Sequence, residues 1–308
     1  MTTQIQSEEA TPSEAAPSEA AAESVTAKGR SVPPRLRRVF CVGMRRGGST
    51  LQLQIVRHLL TPLYGEPTTL LATPETIESV LPDAAIDRVH LIKCHKYLPC
   101  VEREIAAGRA SGVGVFRDVR NVVASIVRKY DVPAFAYVHG GLQTLLDENA
   151  AWERVSGVYV GKYETMTADI AAEAKTLASQ LGVPCSDETA AAIADELSPD
   201  RQEQRIAETT DWAGQGDNAY DPKTLMHRNH TRSGGDSKAA ELLSPAVVAA
   251  LEHQAAGWLR SRGYELTHSA PIRLLAAAGF AARAAAHRVK TAAFGDSSSS
   301  EPTDREAT

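Results

Sequence analysis

The sequence of 308 residues has no long hydrophobic run and only four cysteines. No segment is long and apolar enough to span a bilayer. The N-terminus has no basic residue before Lys28 and no apolar run of the length that a secretory signal needs, so we expect a cytoplasmic protein. The cysteines fall in no CxxC or zinc-binding spacing, which predicts free thiols rather than disulfides or metal ligands at Cys41, Cys94, Cys100 and Cys185.

Large apolar side chains are nearly absent from both ends of the chain. Residues 1–35 are mainly Ala, Ser, Glu, Thr and Pro, and residues 296–308 include a run of serines. Such segments cannot bury enough apolar surface to offset the entropy of ordering them. We therefore predict disordered tails at 1–35 and 296–308, one α/β domain at 36–266, and a basic, alanine-rich helix at 267–295.

The net charge of the chain is −5, which gives no reason to expect nucleic-acid binding. The segment between Leu266 and Gly295 differs, because it has basic residues and no acidic one. A basic helix can lie on an anionic membrane surface. This helix has few large apolar anchors, so we favour a helix without peripheral membrane contact. No pattern indicates the oligomeric state.

Strand patterns alternate with helix patterns along the middle of the chain. Short apolar runs typical of buried strands occur at 39–42, 89–93, 112–116 and 158–161, with helical patterns between them. This alternation predicts a P-loop-type three-layer α/β domain with a central parallel sheet flanked by helices. Polar residues follow each strand, at the carboxyl ends where such sheets bind ligands.

Turn and capping signals predict the connections between the strands. The first helix is expected to end at Thr61-Pro62, and residues 63–88 are expected to be irregular and to cross the mouth of the site. Helices are predicted over 134–155 and 167–182. A long loop is predicted over 209–238, and a loop of that length in a compact domain is usually functional.

The stretch Gly43-x4-Gly48-Ser49-Thr50 is close to the Walker A pattern, but Ser49 stands where that pattern has lysine. Positive charge instead precedes the glycines, at Arg45 and Arg46. Glycines let the backbone approach an anion, and the N-terminus of the following helix adds N–H groups and a positive dipole end. The loop therefore predicts a site for a phosphate-like anion and argues against an ATP or GTP hydrolase. A basic turn without a ligand is the alternative.

Three further polar segments, taken with this loop, resemble the sulfotransferases that use 3′-phosphoadenosine-5′-phosphosulfate (PAPS), of a bacterial-like kind with cytosolic-type motifs. The family's Lys-Ser-Gly-Thr-Thr loop is similar to Arg46-Gly47-Gly48-Ser49-Thr50, with arginine replacing lysine. Its Lys-Thr-His segment is similar to Lys93-Cys94-His95. Its Arg and Ser eight residues apart resemble Arg117 and Ser125, and its Tyr-Glu pair resembles Tyr163-Glu164.

The resemblance implies transfer of a sulfuryl group from PAPS to a hydroxyl or amine of a small-molecule, sugar or lipid acceptor, without a metal. It implies that His95 is the catalytic base and that Arg46 and Lys93 stabilise charge on the bridging oxygen. The basic segment 228–238 resembles a loop that closes over the 3′-phosphate in the family. The residues implied to bind the co-substrate are Arg45, Gly47, Gly48, Ser49, Thr50, Arg117, Ser125, Tyr163, Arg228 and Gly234.

Three alternatives remain open. Glu66 follows the first helix, where some other sulfotransferases carry a glutamate base, so it competes with His95 for that role. A P-loop kinase for a small molecule would need a loop lysine, magnesium ligands and a preference for ATP. A nucleotide-binding protein without catalysis would keep the loop and need no base. His227 and His230 have no third ligand at a fixed spacing, so they predict no metal site.

The acceptor pocket is the part of the sequence that resembles a known family least. The segments expected to shape it are 63–88, 130–150 and 209–226. We predict that the aromatic and imidazole side chains lining it include Tyr97, Phe135, Tyr137, His139 and Trp212.

Overall fold

The structure, a computed structural model, describes residues 31–81, 88–216, 219–227 and 239–294. A five-stranded parallel sheet forms its centre, with the strand order β2-β3-β1-β4-β5. The predicted P-loop-type α/β fold is confirmed, with one strand more than the sequence predicted. The strands are β1 Arg38–Gly43, β2 Thr68–Leu71, β3 His90–Lys93, β4 Ser111–Phe116 and β5 Val158–Lys162.

Thirteen α-helices lie within the described residues, and the π-helical turn Tyr137–Gly141 precedes α6. In chain order the helices are α1 Pro34–Arg37, α2 Ser49–Tyr64, α3 Ile77–Val80, α4 Pro99–Ala106, α5 Val119–Tyr130, α6 Leu142–Arg154, α7 Tyr163–Ala168, α8 Ile170–Leu181, α9 Asp187–Glu196, α10 Pro199–Glu208, α11 Ala239–Leu242, α12 Pro245–Ser261 and α13 Ala270–Phe294.

The register of the strands brings their carboxyl ends to one edge of the sheet. Cys41 of β1 lies opposite Lys93 of β3, and Gly43 of β1 lies opposite Val115 of β4. All neighbouring strands are parallel. The polar segments that follow β1, β3, β4 and β5 therefore emerge side by side.

Alternate strand residues pack on opposite faces of the sheet. Val39 and Cys41 contact a core shared with α2, α8 and α9, whereas Phe40 and Val42 contact a core shared with α4 and α6. All four side chains are fully buried. Burial on both faces explains why the strands read as continuous apolar runs. All four cysteines are free thiols, as predicted, and two of them are buried.

A third apolar core joins α5 to the C-terminal helices. Val122 and Val123 of α5 pack with Leu251 and Leu259 of α12. Phe280 of α13, a helix that lies within the predicted segment 267–295, packs against the same core. In the described part of the chain, no helix combines the length and the apolar character needed to cross a membrane.

The prediction that residues 63–88 are irregular is wrong for two segments. Thr68–Leu71 form β2, an edge strand that pairs with β3, and Ile77–Val80 form α3. β2 is short and none of its side chains is fully buried, because an edge strand has a neighbour on one side only. Its polar start, Thr68-Thr69, therefore gave no apolar run to recognise.

The first helix extends past its predicted end at Thr61-Pro62. α2 continues to Tyr64, with Pro62 in its final turn. A proline this close to the end of a helix removes only one N–H donor. The other hydrogen bonds of the final turn still form, so the helix continues for the rest of that turn. It ends at Gly65, which has a φ of 80° and donates its N–H to the Thr61 carbonyl oxygen.

Two helices predicted as continuous are divided in the structure. The one expected over 134–155 becomes the π-helical turn and α6, because the backbone of Gly140 is non-helical. The one expected over 167–182 begins earlier, as α7, and restarts as α8. Asp169 separates α7 from α8 and caps α8, since its side chain accepts a hydrogen bond from the Ala172 N–H at 2.8 Å.

Glu252 of α12 ties α5 to the connection between α12 and α13. Its fully buried carboxylate accepts hydrogen bonds from Arg120 of α5 at 2.6 Å and from the N–H groups of Thr267 and His268 at 2.7 and 3.0 Å. Burial alone would raise the pKa of Glu252. The hydrogen bonds outweigh burial and lower the pKa to about 2.

We predict that Glu252 makes the stability of the fold depend on pH. Its folded pKa lies below the ordinary value of 4.5, so its contribution is complete above that pH and is lost as the pH falls toward 2. A shift of this size corresponds to about 3 kcal/mol. In urea unfolding, Glu252→Gln should lower the free energy of unfolding at pH 7 and flatten its decrease below about pH 5. Glu203→Gln, at an exposed position of α10, should change neither quantity.

Candidate active site

The loop of residues 44–48 between β1 and α2 begins after one glycine that has no room for a side chain and ends with another. Gly43 has a φ of 109°, and a Cβ atom there would lie 2.3 Å from the Val115 carbonyl oxygen. Gly48 has a φ of 104°, and its Cβ atom would lie 2.3 Å from Cδ2 of Tyr163. Both positions require glycine. The loop, which we call the anion loop, is therefore held closely against β4 and α7.

The N-terminus of α2 is arranged to meet negative charge. Within the described residues, no side chain caps this end of α2, and no acidic residue lies in its first turn. Lys93 at the end of β3 donates from Nζ to Oγ1 of Thr50 at 2.8 Å. A cation beside the positive end of a helix dipole is unfavourable by itself. A bound anion would stabilise both groups.

Arg46 connects the anion loop to α5. It has a left-handed φ of 62°, and its Nε donates to Oγ of Ser125 at 3.0 Å. Burial lowers the pKa of the Arg46 guanidinium, and the charges of Arg128 and Arg117 lower it further, against an opposing effect of tyrosine side chains. A largely buried cation with other cations nearby is costly unless an anion joins them. Ser125, whose hydroxyl accepts this hydrogen bond, is buried, with 2% of its surface exposed.

His95 faces the anion loop from the end of β3. Its Nδ1 lies 3.1 Å from the Gly43 carbonyl oxygen, which can only accept a hydrogen bond. We therefore assign the proton of the neutral ring to Nδ1, which leaves the lone pair on Nε2. Burial first, and then the charge of Lys93, lower the pKa of His95 to about 3. The imidazole is neutral near pH 7 and has the form that a general base requires.

Arg117 and Tyr163 form one unit beyond β4 and β5. The Arg117 guanidinium carbon lies 4.3 Å from the centre of the Tyr163 ring, in cation–π geometry. Arg117 is buried, with 6% of its surface exposed. The Tyr163 ring also packs closely against Gly48 of the anion loop. The tyrosine therefore links the anion loop to Arg117.

Other charged residues in the segments that follow β4 and β5 stabilise the fold around the site. Arg120 donates to Asp118 and to Glu252, both at 2.6 Å, so it serves the core rather than the site. Glu164 accepts a hydrogen bond from the Asp118 N–H at 3.1 Å and another from the Tyr264 hydroxyl at 2.7 Å. Glu164 thus fixes the end of β4 relative to the end of β5. No local sequence pattern predicts this role.

Glu66, the alternative base, lies near the amino ends of the strands, whereas the anion loop lies at their carboxyl ends. It pairs with Arg57 at 2.6 Å and precedes β2, whose first residue Thr68 lies opposite His90 at the start of β3. The anion loop is at the other end of α2, which at 1.5 Å per residue is about 24 Å long. This position favours His95 over Glu66 as the base.

Arg228 and Gly234 lie outside the described residues. The chain on either side of them contacts α5. Nε2 of His227 lies 3.3 Å from Nζ of Lys129, near the end of that helix. The Ala239 N–H donates to Oδ1 of Asn121, near the start of α5, at 2.9 Å.

Across the part of the chain that the structure describes, no group of three or more His, Cys, Asp and Glu side chains could hold a metal ion.

The side chains expected to line an acceptor pocket have different neighbours in the fold. The Tyr97 and Trp152 rings pack in a T-shaped arrangement, with 5.3 Å between ring centres. Tyr137 is half-buried, and burial raises its pKa while the nearby Arg45 opposes that shift. Phe135 and His139 have ring centres 6.4 Å apart, beside α13. Trp212 donates its indole N–H to the Thr209 carbonyl oxygen.

Sequence reasoning missed Glu148 of α6. Its side chain is half-buried, and burial raises its pKa while the charges of Lys96 and Arg45 oppose that shift. The sequence spacing does indicate that Glu148 and Trp152 share a helix face, because Glu148 lies one helical turn before Trp152. The indole N–H of Trp152 donates to the His95 carbonyl oxygen at 3.3 Å. The fold was needed to show that this helix face meets the end of β3.

Comparison with known proteins identifies the fold. No family model and no curated protein matches the chain. The structure is similar to that of mouse sulfotransferase SULT7A1 complexed with PAP, with a TM-score of 0.52 and 13% identity, covering 73% of this chain and 85% of that chain. It is also similar to retinol dehydratase with retinol and PAP, with a TM-score of 0.50 and 16% identity, covering 77% and 84% of the two chains.

A second structure of retinol dehydratase, with androsterone and the inactive cofactor PAP, gives a TM-score of 0.50 and 17% identity, covering 78% of this chain and 84% of that chain. All three likenesses have low identity and extend over most of both chains. Similarity of this kind is one of fold. The chain therefore has the fold seen in these three structures.

We predict that Gly48→Ala destabilises the protein. Its methyl group would overlap Tyr163 at a backbone conformation that alanine rarely adopts, which should cost about 1–3 kcal/mol. Gly257→Ala in α12 is the matched control, because a Cβ there meets nothing within 4 Å. That control should stabilise the helix by about 0.5–1 kcal/mol. Urea unfolding measures both, and equal stability of Gly48→Ala and wild type would contradict the packing of the loop against Tyr163.

Proposed function

We propose that the protein is a PAPS-dependent sulfotransferase that sulfates a hydroxyl or amine of a small-molecule, sugar or lipid acceptor. The observation that carries this proposal is the joining of three strand ends through the anion loop. Arg46 bonds to Ser125, Lys93 bonds to Thr50, and His95 lies against the Gly43 carbonyl. Cations, helix N–H groups and a neutral imidazole thus occupy one edge of the sheet.

The reaction needs the chain to align the acceptor atom with the sulfur and to stabilise charge. Sulfuryl transfer forms a bond between the acceptor atom and sulfur and breaks the bond from sulfur to the oxygen of the 5′-phosphate, as in phosphoryl transfer. Arg46 and the first N–H groups of α2 would bind the leaving phosphate. Lys93, beside Thr50, would share that task. Loss of one such donor typically lowers the rate about 100- to 1,000-fold.

His95 would accept the proton that the acceptor loses. Its Nε2 holds the lone pair when Nδ1 donates to Gly43. Part of the depression of its pKa comes from Lys93, Arg45 and Arg46. An anionic donor bound among these cations would offset their charge and raise the pKa of His95. Donor binding therefore makes the imidazole a stronger base when the acceptor is present.

The group around Arg117 would distinguish PAPS from ATP. Arg117 and the Ser125 hydroxyl would bind the 3′-phosphate, which ATP lacks. Tyr163 would contact the adenine. Arg228 and Gly234 would complete the 3′-phosphate site. The similar structures were determined with PAP, the nucleotide that remains after sulfuryl transfer, and two of them contain retinol or androsterone, which supports a small organic acceptor.

We predict that Arg117→Ala weakens binding of PAP far more than binding of AMP, which is PAP without its 3′-phosphate. Loss of charge-assisted hydrogen bonds should raise the Kd for PAP about 10- to 100-fold. Isothermal titration calorimetry measures both nucleotides, with Arg109→Ala, an exposed arginine, as the control. Equal losses for PAP and AMP would contradict the 3′-phosphate role. Tighter binding of ATP with magnesium than of PAP by the wild type would favour a small-molecule kinase.

We predict that His95→Ala loses about 100- to 10,000-fold in turnover, the usual contribution of a general base, while PAP binds with a similar Kd. Transfer of radiolabelled sulfuryl from PAPS to a panel of alcohols, phenols and amines, without added magnesium, measures turnover. His253→Ala, at an exposed position of α12, is the control and should keep full activity. Near-normal turnover of His95→Ala would exclude this base. Binding of PAP by the wild type without any transfer would indicate a non-catalytic nucleotide-binding protein.

A further inference from the structure

The strand order divides the carboxyl edge of the sheet into two sides. β3 lies on one side of β1 and its anion loop, and β4 and β5 lie on the other. Arg117 follows β4 and Tyr163 follows β5, so a nucleotide held by these residues extends over that side. His95 follows β3. An acceptor must reach the imidazole from the side that the nucleotide leaves open, so it approaches over β3 and β2.

Glu148 of α6 lies near the residues that follow β3. Trp152, which is fully buried, anchors α6 to the end of β3 through its hydrogen bond to the His95 carbonyl oxygen. Glu148 precedes Trp152 by four residues and therefore shares its helix face. The half-buried Glu148 carboxylate is close enough to Cys94 and Lys96, the residues on either side of His95, to act on them electrostatically.

The surroundings of Glu148 limit what it can bind. An ionised carboxylate accepts hydrogen bonds and donates none, so its ligand must carry a donor. Lys96 and Arg45 act on the same carboxylate, and their charges disfavour a cationic ligand. A neutral hydroxyl meets both requirements.

We propose, on the basis of the sulfotransferase function above, that Glu148 accepts a hydrogen bond from a second hydroxyl of the acceptor, close to the hydroxyl that receives the sulfuryl group. Preferred acceptors are then neutral diols, such as catechols and polyols. Glu148 is a specificity residue in this proposal, and His95 remains the group that takes the proton.

A purely electrostatic role for Glu148 makes a different prediction. If the carboxylate only balances Lys96 and Arg45, its removal leaves more positive charge beside the anion loop. PAP would then bind more tightly, and all acceptors would change by the same factor. Recognition of a second hydroxyl changes only those acceptors that have one.

The test combines PAP titration with sulfuryl transfer from PAPS to two matched acceptor pairs. The pairs are catechol with phenol, and trans-1,2-cyclohexanediol with cyclohexanol. The wild type should prefer the diol of each pair about tenfold or more in kcat/KM, the typical effect of a charge-assisted hydrogen bond. Glu148→Gln should reduce that preference at least about threefold, through KM, because it leaves only a weaker neutral acceptor. Asp147→Asn, an exposed neighbour on α6, should not change it.

Three results would overturn the proposal. The wild type could sulfate both members of each pair equally, or none of the four compounds; Glu148→Gln could keep the diol preference; or Glu148→Gln could change PAP binding and all acceptors together. Failure of the wild type to bind PAP would overturn the sulfotransferase function itself, and this proposal with it. The two failures are distinguishable, because PAP titration needs no acceptor. Urea unfolding of both variants separates recognition from loss of folding.

Discussion

Positive charge held in a largely buried setting is the constraint on which this site depends. Arg46 is turned into a left-handed conformation and lies with Arg117 and Arg128 in its electrostatic surroundings. Lys93 lies beside the positive end of α2. Neither arrangement is favourable by itself, since like charges repel and burial penalises them. The sheet imposes both, because parallel strands in register place successive loops at a single edge, and the burial of apolar side chains in the three cores offsets the electrostatic cost.

Division of labour within one short segment follows from helix geometry. Arg117 directly follows β4 and contacts the Tyr163 ring, whereas Arg120, the second residue of α5, bonds to Asp118 and Glu252. The two arginines are three residues apart and serve different neighbours. Residues that resemble one another in a motif therefore need not act at the same place. Only the packing of α5 on α12 separates the two roles.

The sheet and the anion loop could be predicted because their signals are local. Buried strands require apolar runs, and the φ angles at Gly43 and Gly48 require glycine whatever the rest of the fold does. β2 could not be predicted, since an edge strand with a polar start has no such signal. The contact of Arg46 with Ser125, the placement of Glu66 near the amino ends of the strands and the approach of Glu148 to β3 arise from tertiary packing, which local patterns do not encode.

Tyr163 touches Gly48 of the anion loop and the guanidinium of Arg117 at the same time. A small oxyanion resting on the loop alone would leave the aromatic ring where it is, whereas a ligand long enough to span both contacts would press on it from two directions. Tyr163 would therefore contact a long ligand that reaches both groups, but not a short one. Inorganic phosphate and sulfate would bind at the loop without that contact, so under the proposed function Tyr163 would favour a nucleotide over these short anions.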